Sequence, residues 1–323
     1  EYRTHIQSSG WESTFKADDA VSGSTGSAKR LEAIQVKLTG EVSKYFDVYY
    51  RVNVQGYGWL DWAKNGESAG TEGLAYRMES LQIRLIKKDS TELTSSPKAF
   101  IKLPTLSYRS HVQSIGWQEY VKDGQQSGTN GQKKRLEALQ IKLENSGLAG
   151  SIQYRTHIQS DGWENTFKTS NNTSGTTGQN KRLEALQIQI TGELANYFDV
   201  YYRVHVQTIG WLSWAKNGES AGTEGIACRM EALEIKLIPK GSSQLISSPK
   251  AFVQAPTVSY RSHVQSIGWQ NYVENSHTAG TSGQKKRVEA IQIQTKTGTL
   301  SGGIQYRTHI QSNGWETSFK SNK

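Results

Sequence analysis

The chain has 323 residues with a formal net charge of +9, 31 glycines and a single cysteine, Cys228. One cysteine excludes an internal disulfide framework, and no apolar run approaches the length needed to span a membrane. The basic residues are scattered through the whole sequence, the pattern of a solvated charged surface, so no nucleic-acid partner is expected. The hydrophobic share is only 35%, yet nine Trp, fifteen Tyr and seven Phe supply enough contact area for a sizeable core.

A Tyr-Arg pair opens seven copies of one unit, at Tyr2, Tyr50, Tyr108, Tyr154, Tyr202, Tyr260 and Tyr306. The intervals run 48, 58, 46, 48, 58 and 46 residues, so a short period near fifty is nested in one of 152. Three types alternate. Type A begins at Tyr2 and returns at Tyr154 and Tyr306, type B begins at Tyr50 and returns at Tyr202, and type C begins at Tyr108 and returns at Tyr260. This grouping predicts an A-B-C set over 1–152, a second over 153–302, and a partial seventh copy over 303–323. The sequence starts one residue before a motif and stops inside another, which reads as a processed protein or an excerpt of a longer array.

Each copy reads as β-structure. In Tyr154–Ser160 the Tyr, Thr and Ile alternate with Arg, His and Gln, a period of two with the Tyr/Ile face turned to a core. Arg182–Ile190 (RLEALQIQI) opens like a helix but is short and ends in Ile-Gln-Ile alternation, so it is assigned as strand. Between these strands every complete copy carries a glycine pair, Gly128/Gly131 in the third, suited to positive φ in a tight turn. The segment SSPKAF recurs at Ser95–Phe100 and Ser247–Phe252, with Pro104 and Pro256 following, and marks a loop or covered edge. The short stretch from Leu143 to Tyr154 suggests a hairpin joining neighbouring copies. The expected fold is all-β, with tandem copies grouped in threes into β-prism-like or β-trefoil-like units; a six-bladed propeller is the alternative.

The ordered set Tyr-Arg-x-His-Val-Gln, Gly-Trp, Gly-Thr-x-Gly and Arg-Leu-Glu-Ala-Leu/Ile resembles the clostridial hydrophobic repeat with its signature Trp, the ChW repeat. The resemblance covers nearly the whole chain apart from the two SSPKAF connections. It implies a secreted or surface-displayed protein of Gram-positive bacteria with a role in adhesion or glycan binding, and it brings no catalytic residues. The sequence departs from the pattern at Asn53, where the motif His is missing, and at Trp62 and Trp214, extra tryptophans of type B.

Seven tryptophans, Trp11, Trp59, Trp117, Trp163, Trp211, Trp269 and Trp315, each follow a glycine. One per copy with constant neighbours reads as the central core residue of its copy, although such rings could also stack on sugars. Trp62 and Trp214 are the candidate ligand contacts, with Asn65 and Glu67, or Asn217 and Glu219, as hydroxyl partners. The motif arginines, from Arg3 to Arg307, are expected to pair with the Glu of Arg-Leu-Glu, as in Glu137 or Glu184.

Catalysis needs one constellation, whereas here each acid and base is multiplied six or seven times. No enzyme activity, cofactor or metal is therefore expected. Histidines nearly fifty residues apart carry no metal-ligand spacing. The leading expectation is a non-catalytic extracellular protein holding glycan, cell wall or a host surface macromolecule through several weak sites. The alternative is a homo-oligomer or filament, built head to tail into a surface fibre or layer.

Overall fold

The computed structural model describes residues 1–144, 148–242, 245–296, 298–300 and 302–321. It is all-β, a series of small sheets without a barrel, with two single-turn helices at Val42–Tyr45 and Leu194–Tyr197. No helix among the described residues is long and apolar enough to cross a membrane.

Copy three shows the plan. Its first long strand, Thr105–Val112, runs antiparallel to its last, Leu136–Glu144, from Thr105↔Glu144 to Val112↔Leu136. The alternation in sequence appears as burial alternation: Leu106, Tyr108, Ser110 and Val112 face inward. Both strands of the long pair belong to one copy, and the ambiguous Arg-Leu-Glu segment is strand in each complete copy, as at Leu183–Ile190. The junction hairpin expected between Leu143 and Tyr154 does not form. One edge of each flanking strand holds the partner strand of its own copy, and the other takes Ser174–Gly175 on the first and Gly162–Trp163 with Lys168–Thr169 on the second; part of the connection, 145–147, lies outside the described residues.

Copies are joined by their glycine turns. Ser174–Gly175 of copy four lies on Ala138–Leu139 of copy three, and Ala221–Gly222 of copy five lies on Ala185–Leu186 of copy four. Ser127–Gly128 of copy three then lies on Ala232–Leu233 of copy five, which closes the circle. Closure after three copies, not six, sets aside the propeller. The joined set also spans the expected boundary at 152/153.

The turns require glycine because a Cβ at Gly128, Gly175 or Gly222 would meet a neighbouring carbonyl oxygen at 2.4–2.5 Å. Buried tyrosines fasten the same seams. The Tyr108 hydroxyl accepts the Ile235 N–H at 3.0 Å, and the Tyr154 hydroxyl accepts the Ile141 N–H at 3.1 Å.

Copies one and two repeat one such seam, with Gly70 on Ala33. They rest on the closed set through Tyr57, whose ring centroid is 5.2 Å from that of Tyr197, and through the Tyr76 hydroxyl, which donates to the Lys240 carbonyl at 3.0 Å. The last strand of copy two, Met78–Lys87, is bare on its outer side. Leu81, Ile83 and Leu85 are 41%, 49% and 56% exposed, whereas their counterparts in copy five, Leu233, Ile235 and Leu237, are at 0%, 0% and 5%. Burying such a side chain is worth about 1.5–3 kcal/mol each, so copy two forgoes stabilisation that copy five gains.

Candidate functional site

Two recurring arrangements stand out. The first is a lateral stack on every copy. In copy three the Arg109 guanidinium lies 4.9 Å from the Trp117 ring and 4.7 Å from the Tyr120 ring, while its Nε donates to Gln140 Oε1 at 2.8 Å. The same sandwich runs from Arg3 between Trp11 and Phe15 to Arg307 between Trp315 and Phe319. Trp62 and Trp214 are the second aromatic of type B, 4.7 Å from Arg51 and 4.8 Å from Arg203. A cation held between two rings contributes about 0.5–2 kcal/mol per face, depending on how far water is excluded.

On its other side the motif Trp meets the motif His edge-on, His111 to Trp117 at 5.4 Å. The His sits where the strand register shifts, opposite the Trp. His111 Nδ1 lies 3.1 Å from Glu137 Oε2, a close but bent approach, and Glu137 also receives Arg135 at 2.8 Å. The expected pairing of the motif Arg with this Glu is therefore incorrect. The register sets Arg109 opposite Gln140, and the Glu falls to the neighbouring arginine and the His. Only in copy five does an acid occupy the Gln place, where Arg203 pairs with Glu234 at 2.8 Å. Burial pushes the Glu184 carboxyl up, but the close approach of His157 and the hydrogen bond from Arg182 outweigh it and hold the group below its ordinary value.

The seven motif tryptophans do not take the central core place expected of them. Trp59, Trp269 and Trp315 are 40%, 42% and 59% exposed, and Trp11, Trp117, Trp163 and Trp211 are half-buried. The aromatic that fills the core is the motif Tyr, at most 1% exposed at Tyr50, Tyr108, Tyr154 and Tyr202. The indole instead covers the arginine and the histidine on the flank of the sheet.

The second arrangement belongs to type B. The SSPKAF strap turns through a short 3-10 segment at Pro97–Ala99, capped by Ser96, whose Oγ accepts the Lys98 N–H. It then runs as Phe100–Lys102 parallel to the glycine strand Ala69–Glu72, so of the two readings, loop or covered edge, the structure shows the covered edge. The Ser96 N–H donates to the Trp62 carbonyl at 3.0 Å and pins the strap. Under it opens a cleft of about 380 Å³ lined by Glu67, Ser68, Ser95, Ser96, Pro97 and Phe100. The second B copy repeats it at about 420 Å³ with Glu219, Ser220, Ser247, Ser248, Pro249 and Phe252, and adds Thr299.

Glu67 Oε2 accepts the Lys64 N–H at 2.8 Å, and Oε1 stands 3.4 Å from Ser95 Oγ, facing the cleft. Of the six residues singled out in the sequence, Glu67 and Glu219 line the clefts. Trp62 and Trp214 are half-exposed and contribute their carbonyls to the strap. The side-chain amides of Asn65 and Asn217 are committed to the fold: Asn65 Oδ1 accepts the Val48 N–H at 2.9 Å, and Nδ2 donates to Asp47 at 2.7 Å. The Asp47 carboxyl is held below its usual range by Lys64 and then Asn65. Sequence reasoning did not select the strap residues Ser95, Ser96 and Phe100 as site residues. Their signal was the recurrence of one six-residue insertion at the same place in both halves. Among the described residues no group of three His, Cys, Asp or Glu could hold a metal ion.

Fold and flank together define a class: a tandem-repeat all-β protein whose copies are joined by glycine turns and each carry a stacked Trp-Arg-aromatic triplet. Its pattern matches the Clostridial hydrophobic W (ChW) repeat over residues 5–40, 53–87, 111–145, 157–192, 205–239 and 263–296, and the chain belongs to that family. No curated protein and no solved structure matches it. Repeats of this family are typical of bacterial surface proteins, and it is not a known enzyme family.

Proposed function

We propose that the chain is a non-catalytic, secreted or surface-held protein that binds glycan or cell-wall polymer through the paired clefts of its B copies. The observation that carries this reading is the duplication of the cleft with one lining, Glu67 to Phe100 and Glu219 to Phe252. A carboxylate and several serine hydroxyls suit the hydroxyls of a sugar, while the Phe100 ring and Pro97 offer an apolar floor to its C–H face. Trp62 and Trp214 join as neighbouring stacking surfaces, with Asn65 and Asn217 as supports that fix the strand beneath. Two equal sites on one chain reward a repetitive polymer by avidity. The closed set of copies three to five, which we take as β-prism-like, would hold the second cleft rigid.

The test is a pull-down on isolated Gram-positive cell walls and a panel of immobilised polysaccharides, at low and high salt. Binding is expected to survive high salt and to fall about tenfold or more when Glu67→Gln and Glu219→Gln are combined, because the loss of both sites removes avidity. Binding that disappears with salt alone, or that ignores these substitutions, contradicts the reading and reduces it to basic charge. Self-assembly into a surface array is the second reading, favoured by the bare strand of copy two.

A further inference from the structure

The B clefts do not end at their straps. At the edge of the first, the Phe100 ring stands 6.3 Å from the Trp11 ring of copy one, tilted by 46°, so the aromatic floor of the cleft continues onto the neighbouring copy. A polar bridge runs beside it. Gln35 Nε2 of copy one donates to Ser68 Oγ in the cleft lining at 3.0 Å, and Gln35 Oε1 accepts Arg3 Nε at 2.7 Å. Arg3 is the cation stacked between Trp11 and Phe15. The second half repeats the bridge with the same lengths, Gln187 to Ser220 at 3.0 Å and Arg155 to Gln187 at 2.7 Å, and Arg155 stacks between Trp163 and Phe167.

Two further observations single out the seam between A and B. In its sheet the glycine strand Ala69–Glu72 lies between the strap and the last strand of copy one, Leu31–Val36, and Ala221–Glu224 is placed likewise between Phe252–Gln254 and Leu183–Ile190. A similar bridge crosses the seam from copy three to copy four, Gln140 to Thr173 at 2.9 Å, but type A carries no SSPKAF segment to roof it. The A indole also stands farther from its own arginine. The guanidinium is 5.6 and 5.4 Å from the Trp11 and Trp163 rings, against 4.8–5.0 Å from Trp59, Trp117, Trp211 and Trp269. In type A the arginine takes a second hydrogen bond, from Arg3 Nη1 to Glu12 O and from Arg155 Nη1 to Glu164 O, both at 3.3 Å. Trp11, Trp163, Phe100 and Phe252 all keep part of their surface open to solvent.

We infer that each B cleft is part of a larger site completed by the A copy before it, and that the whole site takes consecutive sugar units of a linear oligosaccharide. One unit occupies the cleft against Glu67, Ser95 and Phe100, and the next lies over the Trp11 indole with its C–H face on the ring. Glu219, Ser247 and Phe252 hold the corresponding places in the second half, with Trp163 as the platform. Trp11 and Trp163 thereby make the site respond to chain length, which a cleft alone does not. Gln35 and Gln187 are positioning residues, because each ties the arginine of the stack to the serine of the cleft. This inference rests on the cleft reading above and adds to it the subsite and the length of ligand.

The experiment is fluorine NMR on the full chain labelled with fluorotryptophan, its resonances assigned by single Trp→Phe substitutions. The probes are N-acetylglucosamine and glycan strands of isolated Gram-positive cell wall stripped of peptide by an amidase. The strands should shift the Trp11 and Trp163 resonances and leave Trp117, whose copy has no strap, in place. They should also bind about tenfold or more tighter than the monosaccharide, because linked units fill adjoining subsites. Combining Trp11→Ala with Trp163→Ala should weaken strand binding about tenfold with the circular dichroism retained. Where that variant loses its fold, the resonance shifts of the wild-type chain decide, since a merely structural indole would not report the ligand. Strand binding that is weakened by Glu67→Gln with Glu219→Gln but leaves Trp11 and Trp163 unmoved overturns this inference alone. So does an affinity that is equal for monosaccharide and strands. A wild-type chain that binds neither probe, or strand binding indifferent to the Glu pair, overturns it together with the cleft reading.

Discussion

A tyrosine hydroxyl works in each seam, and its surroundings give the seam a pH limit. Tyr154 is fully buried; its hydroxyl accepts from Ile141 of copy three and donates to the Asn172 carbonyl of its own copy. Burial pushes the phenols of Tyr50 and Tyr154 up to about 12 from 10.0. A phenol raised in the folded state contributes stability that is complete below its unfolded value of 10.0 and is lost as pH rises through about 12. Alkaline titration should therefore show the tyrosinate absorbance of these residues developing above pH 10 together with loss of the circular dichroism signal. Development of all tyrosinate absorbance with the fold intact would contradict this. The inward place of the motif Tyr was legible in the alternation of its strand, but the flank position of the Trp was not, because one Trp per copy beside constant neighbours looks the same in a core. What separates them is register. Tyr108 lies on the inward alternation of its strand, while Trp117 sits across from His111 at the register shift and folds over Arg109.

At the scale of the element, the glycine turn is the joint of the molecule. Gly175 carries φ +96° and leaves 2.5 Å between its added Cβ and Glu137 O, so Gly175→Ala combines backbone strain with a collision against a rigid strand. Strain of this kind costs about 1–3 kcal/mol, and the collision adds to it. Gly23→Ala shares the strain, at φ +110°, but meets only the Leu31 side chain. Chemical denaturation should show Gly175→Ala as clearly the more destabilising of the two; equal losses would mean that the seam does not need close approach. Strands, turns and the covered edge at SSPKAF could be read from alternation, glycine spacing and proline. The partner of each turn could not. The Tyr108–Ile235 contact spans 127 residues, and adjacency in sequence pointed instead to a junction hairpin that the strands have no free edge to make. The clefts were half legible for a related reason. Glu67 announced itself as a polar group near an extra Trp, whereas Phe100 reaches the cleft only because its strap pairs in parallel with Ala69–Glu72.

For the whole molecule, the central claim is that copies three, four and five close by threes as C-A-B, while the last strand of copy two lies outside such a closure and is exposed. Copy five supplies the internal standard. In it the Ile235 N–H is bound to the Tyr108 hydroxyl and the Leu237 N–H to Asp123, at 3.0 and 2.7 Å, both across the seam. By the same register Ile83 and Leu85 in copy two point their N–H groups outward. The most direct measurement is residue-resolved hydrogen exchange on the dilute chain, comparing these two pairs. The account predicts fast exchange at Ile83 and Leu85 and slow exchange at Ile235 and Leu237. Equal protection of both pairs in dilute solution, or rapid exchange at Ile235, would contradict closure by threes.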